Sequence, residues 1–342
     1  MFVGETIALF VALSWTVTAL FAEVASKRMG SLPLNTVRMT MSLALLVLTL
    51  WLTMGVPYPR FADSQTWLWL LLSGVVGYVI GDYCLMQGYI IIGSRFGQLF
   101  MTLSAPTAAL TGRLLLGEQM RPLAILGMVV TLTGIAMSIL SKNETGEKQN
   151  EKVATNSAPA KFSILNFQFS ISRKGIFYAS MAGICQGFGL VLSKIGLQHY
   201  DAAVAAAGMA TDRIPDGAII HLPLFLSIPF AATMIRATIG LVGFFALLAL
   251  FNRDWKSKLN NAVHDRRAMW CLLGATIFGP FVGVSASLLA TQYTSTGIAQ
   301  TLFALTPVLI IAPAAWFFHQ RVTLREVIGA VVSVCGVCLF FI

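Results

Sequence analysis

Ten apolar stretches, each about as long as a membrane crossing, follow one another along the 342 residues of this chain. A helix rises about 1.5 Å per residue, so about 20 apolar residues cross a hydrocarbon layer of roughly 30 Å. The stretches run near 4–22, 36–54, 66–91, 96–116, 123–140, 175–196, 230–251, 268–292, 297–318 and 326–342. Charged residues make up 11% of the chain, against roughly 25% in an ordinary soluble domain, and they gather between the stretches. A soluble bundle of helices apolar all round would lack polar faces to shield them from water. The expected fold class is an all-α integral membrane protein with ten transmembrane helices, set in a bacterial inner membrane.

The net charge of +9 does not point to nucleic acid, because the basic residues sit in short loops. Lys27, Arg28, Arg95, Arg253, Arg266 and Arg325 fall on one side of the ten crossings, with Arg60, Arg121 and Arg213 on the other. The positive-inside bias makes the richer side cytoplasmic and puts both termini outside. Met1-Phe2-Val3-Gly4-Glu5 carries no basic lead-in, so the first stretch is expected to stay as a helix rather than act as a cleaved signal. Cys84, Cys185, Cys271, Cys335 and Cys338 all lie within apolar stretches, which implies neither a disulfide framework nor a metal site. Cys335 and Cys338 are expected as small packing residues.

The two halves of the chain resemble each other. Gly77, Gly81, Gln98, Gly127 and Gly134 return as Gly279, Gly283, Gln300, Gly329 and Gly336 at one constant offset, and Pro106 returns as Pro307 with a slip of one residue. Phe21, Ser26 and Lys27 return as Phe188, Ser193 and Lys194, and Arg38 and Arg236 hold similar places near the second helix of each half. The implied organisation is a five-helix repeat over 1–140, a polar linker over 141–174 and a second five-helix repeat over 175–342. The apolar patch Phe162 to Ile171 inside the linker is too short to span, and it either lies on the membrane surface or forms a short ordered loop. Five crossings are an odd number, so the second copy enters from the opposite side and the repeats are inverted. Two such halves can exchange shapes, which supplies alternating access.

Gly81-Asp82, Gly93-Ser94, Gln98, Leu103, Pro106, Leu116-Gly117-Glu118, Leu126-Gly127 and Gly134, in this order, resemble the EamA family of the drug/metabolite transporter superfamily. The resemblance covers nearly the whole chain. It departs at His319-Gln320-Arg321, where the first half has Gly117-Glu118, and at the long connection from Leu197 to Pro229. It implies a ten-helix bundle around a central cavity that moves small metabolites, and it implies both termini inside, opposite to the charge bias.

Pro106 and Pro307 fall within the fourth and ninth stretches, and a proline inside a helix frees a carbonyl that in lipid must face protein or a watery cavity. Gln98 and Thr102 share a helix face, and Gln300 is the counterpart of Gln98. Gln98, Thr102, Pro106, Gln300 and Pro307 are therefore the candidate substrate path, with structural kinks and interhelical hydrogen bonding as the alternatives. Amide side chains suit a neutral polar or zwitterionic solute without burying a charge. Asp82, within the third stretch, and the bases Arg38 and Arg236 are the candidates for proton or sodium coupling or for a buried ion pair. Trp15, Phe21, Phe100 and Phe303 are candidates for an aromatic pocket, and Glu118 for a local pair with Arg121.

No ATP-cradling loop is present, so the expected function is a secondary transporter for a small organic metabolite, driven by a gradient and needing no cofactor or metal. Two alternatives are a membrane-embedded enzyme acting on a lipid-linked substrate and an accessory membrane subunit. His199, His221, His264 and His319 are scattered over separate loops, which disfavours the enzyme. Inverted symmetry favours a carrier over the accessory subunit.

Overall fold

The computed structural model describes residues 2–140, 161–164, 167–170, 172–215, 217–310, 313 and 324–339. The first half consists of α1 (Val3–Met29), α2 (Ser31–Met54), α3 (Ser64–Ser94), α4 (Gly97–Leu116) and α5 (Pro122–Leu140). A two-stranded antiparallel hairpin follows, β1 (Lys161–Ile164) and β2 (Phe167–Ser170), with Phe162 opposite Phe169. The second half consists of α6 (Arg173–Ala206), α7 (Leu224–Phe251), α8 (Trp255–His264), α9 (Arg266–Tyr293), α10 (Thr296–Leu309) and α11 (Leu324–Cys338). Seven of these helices are long and apolar enough to cross a membrane, and α5, α10 and α11 supply shorter apolar helices. The end of the ninth stretch, the loop His319-Gln320-Arg321 and, within the 141–174 linker, all of residues 141–160 lie outside the described residues.

Three differences from the sequence expectation have physical causes. α1 runs on to Met29 and α2 begins at Ser31, because Gly30 takes φ 78 and ψ 161, a reversal that only glycine enters freely, and so the two helices meet with one residue between them. α8 is a short helix with Trp255, Leu259 and Val263 along one side and Lys256 and Lys258 beyond it. Its polar residues hide it in a hydropathy scan, and it has the composition of a helix lying at a membrane interface. The surface patch expected in the linker is the β1–β2 hairpin, so the described chain is helical apart from those two strands. Cys335 and Cys338 are exposed on the outside of α11 rather than packed.

The helices pair across the halves: α1 with α9, α3 with α6, α2 with α7, α4 with α10 and α5 with α11. Exchanging the two halves turns the α1–α9 contact into the α6–α3 contact and maps each of the other pairs onto itself. The α5–α11 seam repeats at the level of residues. Thr131 Oγ1 donates to the Ser333 carbonyl and Ser333 Oγ to the Thr131 carbonyl, each at 3.4 Å. A methyl group on Gly134 would stand 2.4 Å from the Ser333 backbone nitrogen, and one on Gly336 would stand 2.5 Å from that of Thr131. Small residues at these places let two backbones approach, the usual basis of helix association in lipid.

α3 starts at a side-chain cap. Asp63 accepts a hydrogen bond from the Thr66 backbone N–H at 2.8 Å, and Thr66 holds the Asp63 carboxyl below its usual range. Asp63→Ala is expected to cost about 1 kcal/mol. Since the folded pKa is depressed, the cap stabilises fully above about pH 4 and is lost as the pH falls through the lower folded value. Unfolding midpoints of the wild type and the Ala variant between pH 7 and pH 3 should therefore converge at the acid end.

Candidate functional site

Two π-helical segments widen the bundle at corresponding places: Val75–Asp82 in α3 and Ile277–Phe281 in α9. Pro280 lies inside the second and has no N–H to give the α-helical ladder. The carbonyls that these segments release are answered by the first helix of the opposite half. Ser14 on α1 donates to the Phe278 carbonyl at 2.7 Å, and Gln186 on α6 reaches the Gly77 carbonyl at 3.5 Å. Local departures from α geometry of this kind are tolerated in a bilayer where protein or a cavity meets the freed groups.

Between these segments lies a cavity of about 70 Å³. Trp15, Leu85, Met86, Met101 and Val284 form its apolar wall, and Arg38, Asp82, Tyr78, Tyr89, Gln98 and Gln186 its polar one. Arg38 on α2 makes a buried ion pair with Asp82 at the end of the first π segment. The other carboxylate oxygen accepts from Gln186 Nε2 at 3.1 Å, so one acid ties α2, α3 and α6 together. Arg236 on α7 is equally buried. Its guanidinium lies 4.8 Å from the centroid of the Tyr78 ring, and its Nε has no hydrogen-bond partner. Gln98 donates to the Tyr89 hydroxyl, and the Trp15 and Phe303 rings meet edge to face at 4.9 Å.

A polar network lies toward each end of the bundle from this cavity. On the side of the chain's N-terminus, Lys194 on α6 contacts Glu118 at 2.7 Å and the Thr294 carbonyl at 2.9 Å. The second oxygen of Glu118 accepts from the Thr296 backbone N–H at 2.9 Å and its hydroxyl at 2.6 Å, capping α10. At the opposite end Lys27 pairs with Glu23, and Glu23 accepts from the Ser94 hydroxyl and backbone N–H where the chain turns at Gly93. Arg28 pairs with Asp265 at 2.7 Å, and this neighbouring guanidinium holds the Asp265 carboxyl below its usual range. Lys27 and Lys194 are repeat counterparts, and so are Ser94 and Thr296. The two networks thus share a lysine and a carboxylate that accepts from a hydroxyl and a backbone N–H.

The sequence matches the EamA-like transporter family over residues 2–140 and 225–342. The chain belongs to that family. Membership points to a multi-pass membrane transporter of the drug/metabolite type, a family that handles small solutes within a lipid membrane. No curated protein matches it. Of 28 solved chains that match, one described as "Crystal structure of protein" aligns over 98% of this chain and 96% of its own, at 15% identity and a TM-score of 0.64, a likeness of fold.

In this EamA-like fold the residues singled out from sequence separate into two groups. Arg38, Asp82 and Gln98 line the cavity, with Arg236 behind Tyr78. Gln300 does not line it. It accepts from Ser104 at 3.1 Å and donates to the Gln186 carbonyl at 3.4 Å, which is interhelical bonding. Thr102 is bonded to the Leu99 carbonyl of its own helix. Pro106 is exposed on the outside of α4 and Pro307 is buried at the start of a helical turn after Leu305, so neither shapes the cavity described here. The α4 helix breaks at Thr102–Leu103, which puts Pro106 in the first turn of the next segment, where a missing N–H costs little. Of the aromatic candidates, Trp15 lines the cavity and Phe303 supports it, while Phe21 is partly exposed against Gly274. Glu118 pairs with Lys194 rather than Arg121. Tyr78, Tyr89, Gln186 and Pro280 were not singled out from sequence; Pro280 carries a signal, since it interrupts an apolar stretch beside Gly279 and Gly283.

Proposed function

We propose that this protein is a secondary carrier that moves a small organic metabolite by alternating access through the Arg38–Asp82 cavity. It is built from inverted five-helix repeats, residues 1–140 and 175–342, joined by the linker 141–174. The observation that carries this is the pair of π segments at repeat-related positions, which face one cavity from two helices of opposite sense. The exchange-symmetric helix pairing supports it as well. The lysine–carboxylate networks act as latches on either side of the cavity, and access alternates when one opens while the other holds. The basic side of the bundle faces the cytoplasm. Gln300 and Thr102 join the path when α4 and α10 part.

Flux measured in sealed vesicles carrying the purified protein, loaded with metabolite pools under imposed pH or sodium gradients, tests this. Protein-dependent loss of particular solutes is expected. Tight binding with no flux under any gradient would favour an accessory role.

The latches give a directional expectation. Glu118→Gln weakens the Lys194 contact and the α10 cap, and should enrich the state open on the N-terminal side about tenfold, for a change of about 1.4 kcal/mol. Labelling of a cysteine at position 198 paired with one at 293, by a cross-linker of fixed span, reads that shift as a loss of cross-linking.

A further inference from the structure

We propose that the cavity takes an organic monoanion, a carboxylate on a small apolar body. The inference rests on the carrier reading above and narrows it to a class of solute. Among the described residues the buried charges lining the cavity are Arg38 and Asp82, and Arg236 stands behind Tyr78: two guanidiniums and one carboxylate, each no more than 6% exposed. Asp82 is committed to Arg38. Glu23, the next carboxylate along α1, is matched by Lys27. Arg236 is left with the face of the Tyr78 ring, and its Nε has no hydrogen-bond partner.

A buried cation without an anion is costly, and in membrane spans such groups mark ligand pathways. Beside it stands a second unanswered group. The Tyr78 hydroxyl is buried, has no hydrogen-bond partner, and its residue lines the cavity. A guanidinium and a phenolic O–H together suit an acceptor-only oxyanion. The charge sum sets the valence: a zwitterion leaves the site one charge positive, a dianion overshoots, and a monoanion balances it. Trp15, Leu85, Met86, Met101 and Val284 provide the apolar room for the remainder of the solute. This replaces the neutral or zwitterionic solute suggested by the glutamines alone, since Gln98 is bound to Tyr89 and Gln300 to Ser104.

The test is equilibrium dialysis of the purified protein in detergent against a cell extract split by ion exchange into anionic, neutral and cationic fractions, with mass spectrometry of what is retained. Retention of carboxylic acids from the anionic fraction is expected. Arg236→Gln should cut it roughly thirtyfold or more. Tyr78→Phe should cut it roughly tenfold and leave folding intact, because the hydroxyl it removes has no partner in the protein. Tyr78→Phe therefore carries the test if Arg236→Gln does not fold.

Nothing retained from the anionic fraction, retention from the neutral or cationic fraction instead, or unchanged retention in Tyr78→Phe would overturn the proposal. So would stabilisation by chloride alone, which would make Arg236 the seat of an inorganic counter-ion. Flux assays on the same fractions separate the two claims. Anions retained but not moved would sink the carrier and keep the site, whereas flux confined to neutral or cationic solutes would keep the carrier and sink the anion.

Discussion

Asp82→Asn is expected to cost about 3–5 kcal/mol of stability and to abolish concentrative transport. Among the described residues the carboxylate is the only acid lining the cavity; it pairs with Arg38 and also holds Gln186. Removing its charge leaves Arg38 buried without an anion, and breaking one side of a buried pair costs more than the pair itself contributes. The double variant Asp82→Asn/Arg38→Gln should recover a large part of the loss, since it removes the orphaned charge along with the acid. Unfolding in mixed detergent micelles, run as a double-mutant cycle, measures this. Additive losses would mean that the two side chains do not act as a pair. Retained pH-driven accumulation in the Asn variant would restrict Asp82 to ion pairing and exclude it from coupling.

Gly134→Leu or Gly336→Leu is expected to cost about 3 kcal/mol or more, by driving α5 and α11 apart. Even a methyl group at either glycine would meet backbone nitrogen across the seam at 2.4 to 2.5 Å, and backbone atoms cannot rotate away as a flexible side chain can. The seam is self-complementary, so the two substitutions should have similar effects. Val129→Leu, at an exposed position on α5, serves as the control and should leave stability unchanged. Unfolding midpoints for the three variants decide the point, and a tolerated Gly134→Leu would show that the seam is looser than described.

The parts of the fold that were legible in sequence are those set by composition and by repetition. Lipid demands long apolar runs, so the helices show plainly in hydropathy, and the recurrence of Gly127 and Gly134 as Gly329 and Gly336 foreshadows a seam where both copies meet. Arg38, Asp82 and Gln98 stood out because a buried polar group in lipid needs a reason, and all three line the cavity. What stayed hidden depends on backbone geometry. A π segment forms when tertiary partners such as Ser14 and Gln186 receive its freed carbonyls, and no local propensity announces it. The short break at Thr102–Leu103 undoes the inference from Pro106, and eight residues at about 100° each turn Pro106 roughly 80° away from Gln98 even without the break. Nothing in the sequence sets Tyr78 and Tyr89 apart from other aromatic residues in the spans; their hydroxyls, one bonded to Gln98 and one without a partner, mark them as cavity groups.

Alternating access is tested most directly by two distances measured between the same two helices. Spin labels at Gln198 and Tyr293 report the end held by Lys194 and Glu118, and labels at Lys174 and Arg267 report the opposite end; all four positions are exposed. With the protein in lipid vesicles, the two distance distributions should each be bimodal. Glu118→Gln should lengthen the first while shortening the second. Two distributions that stay single, or that widen and narrow together, would contradict a carrier whose central cavity opens to one side at a time.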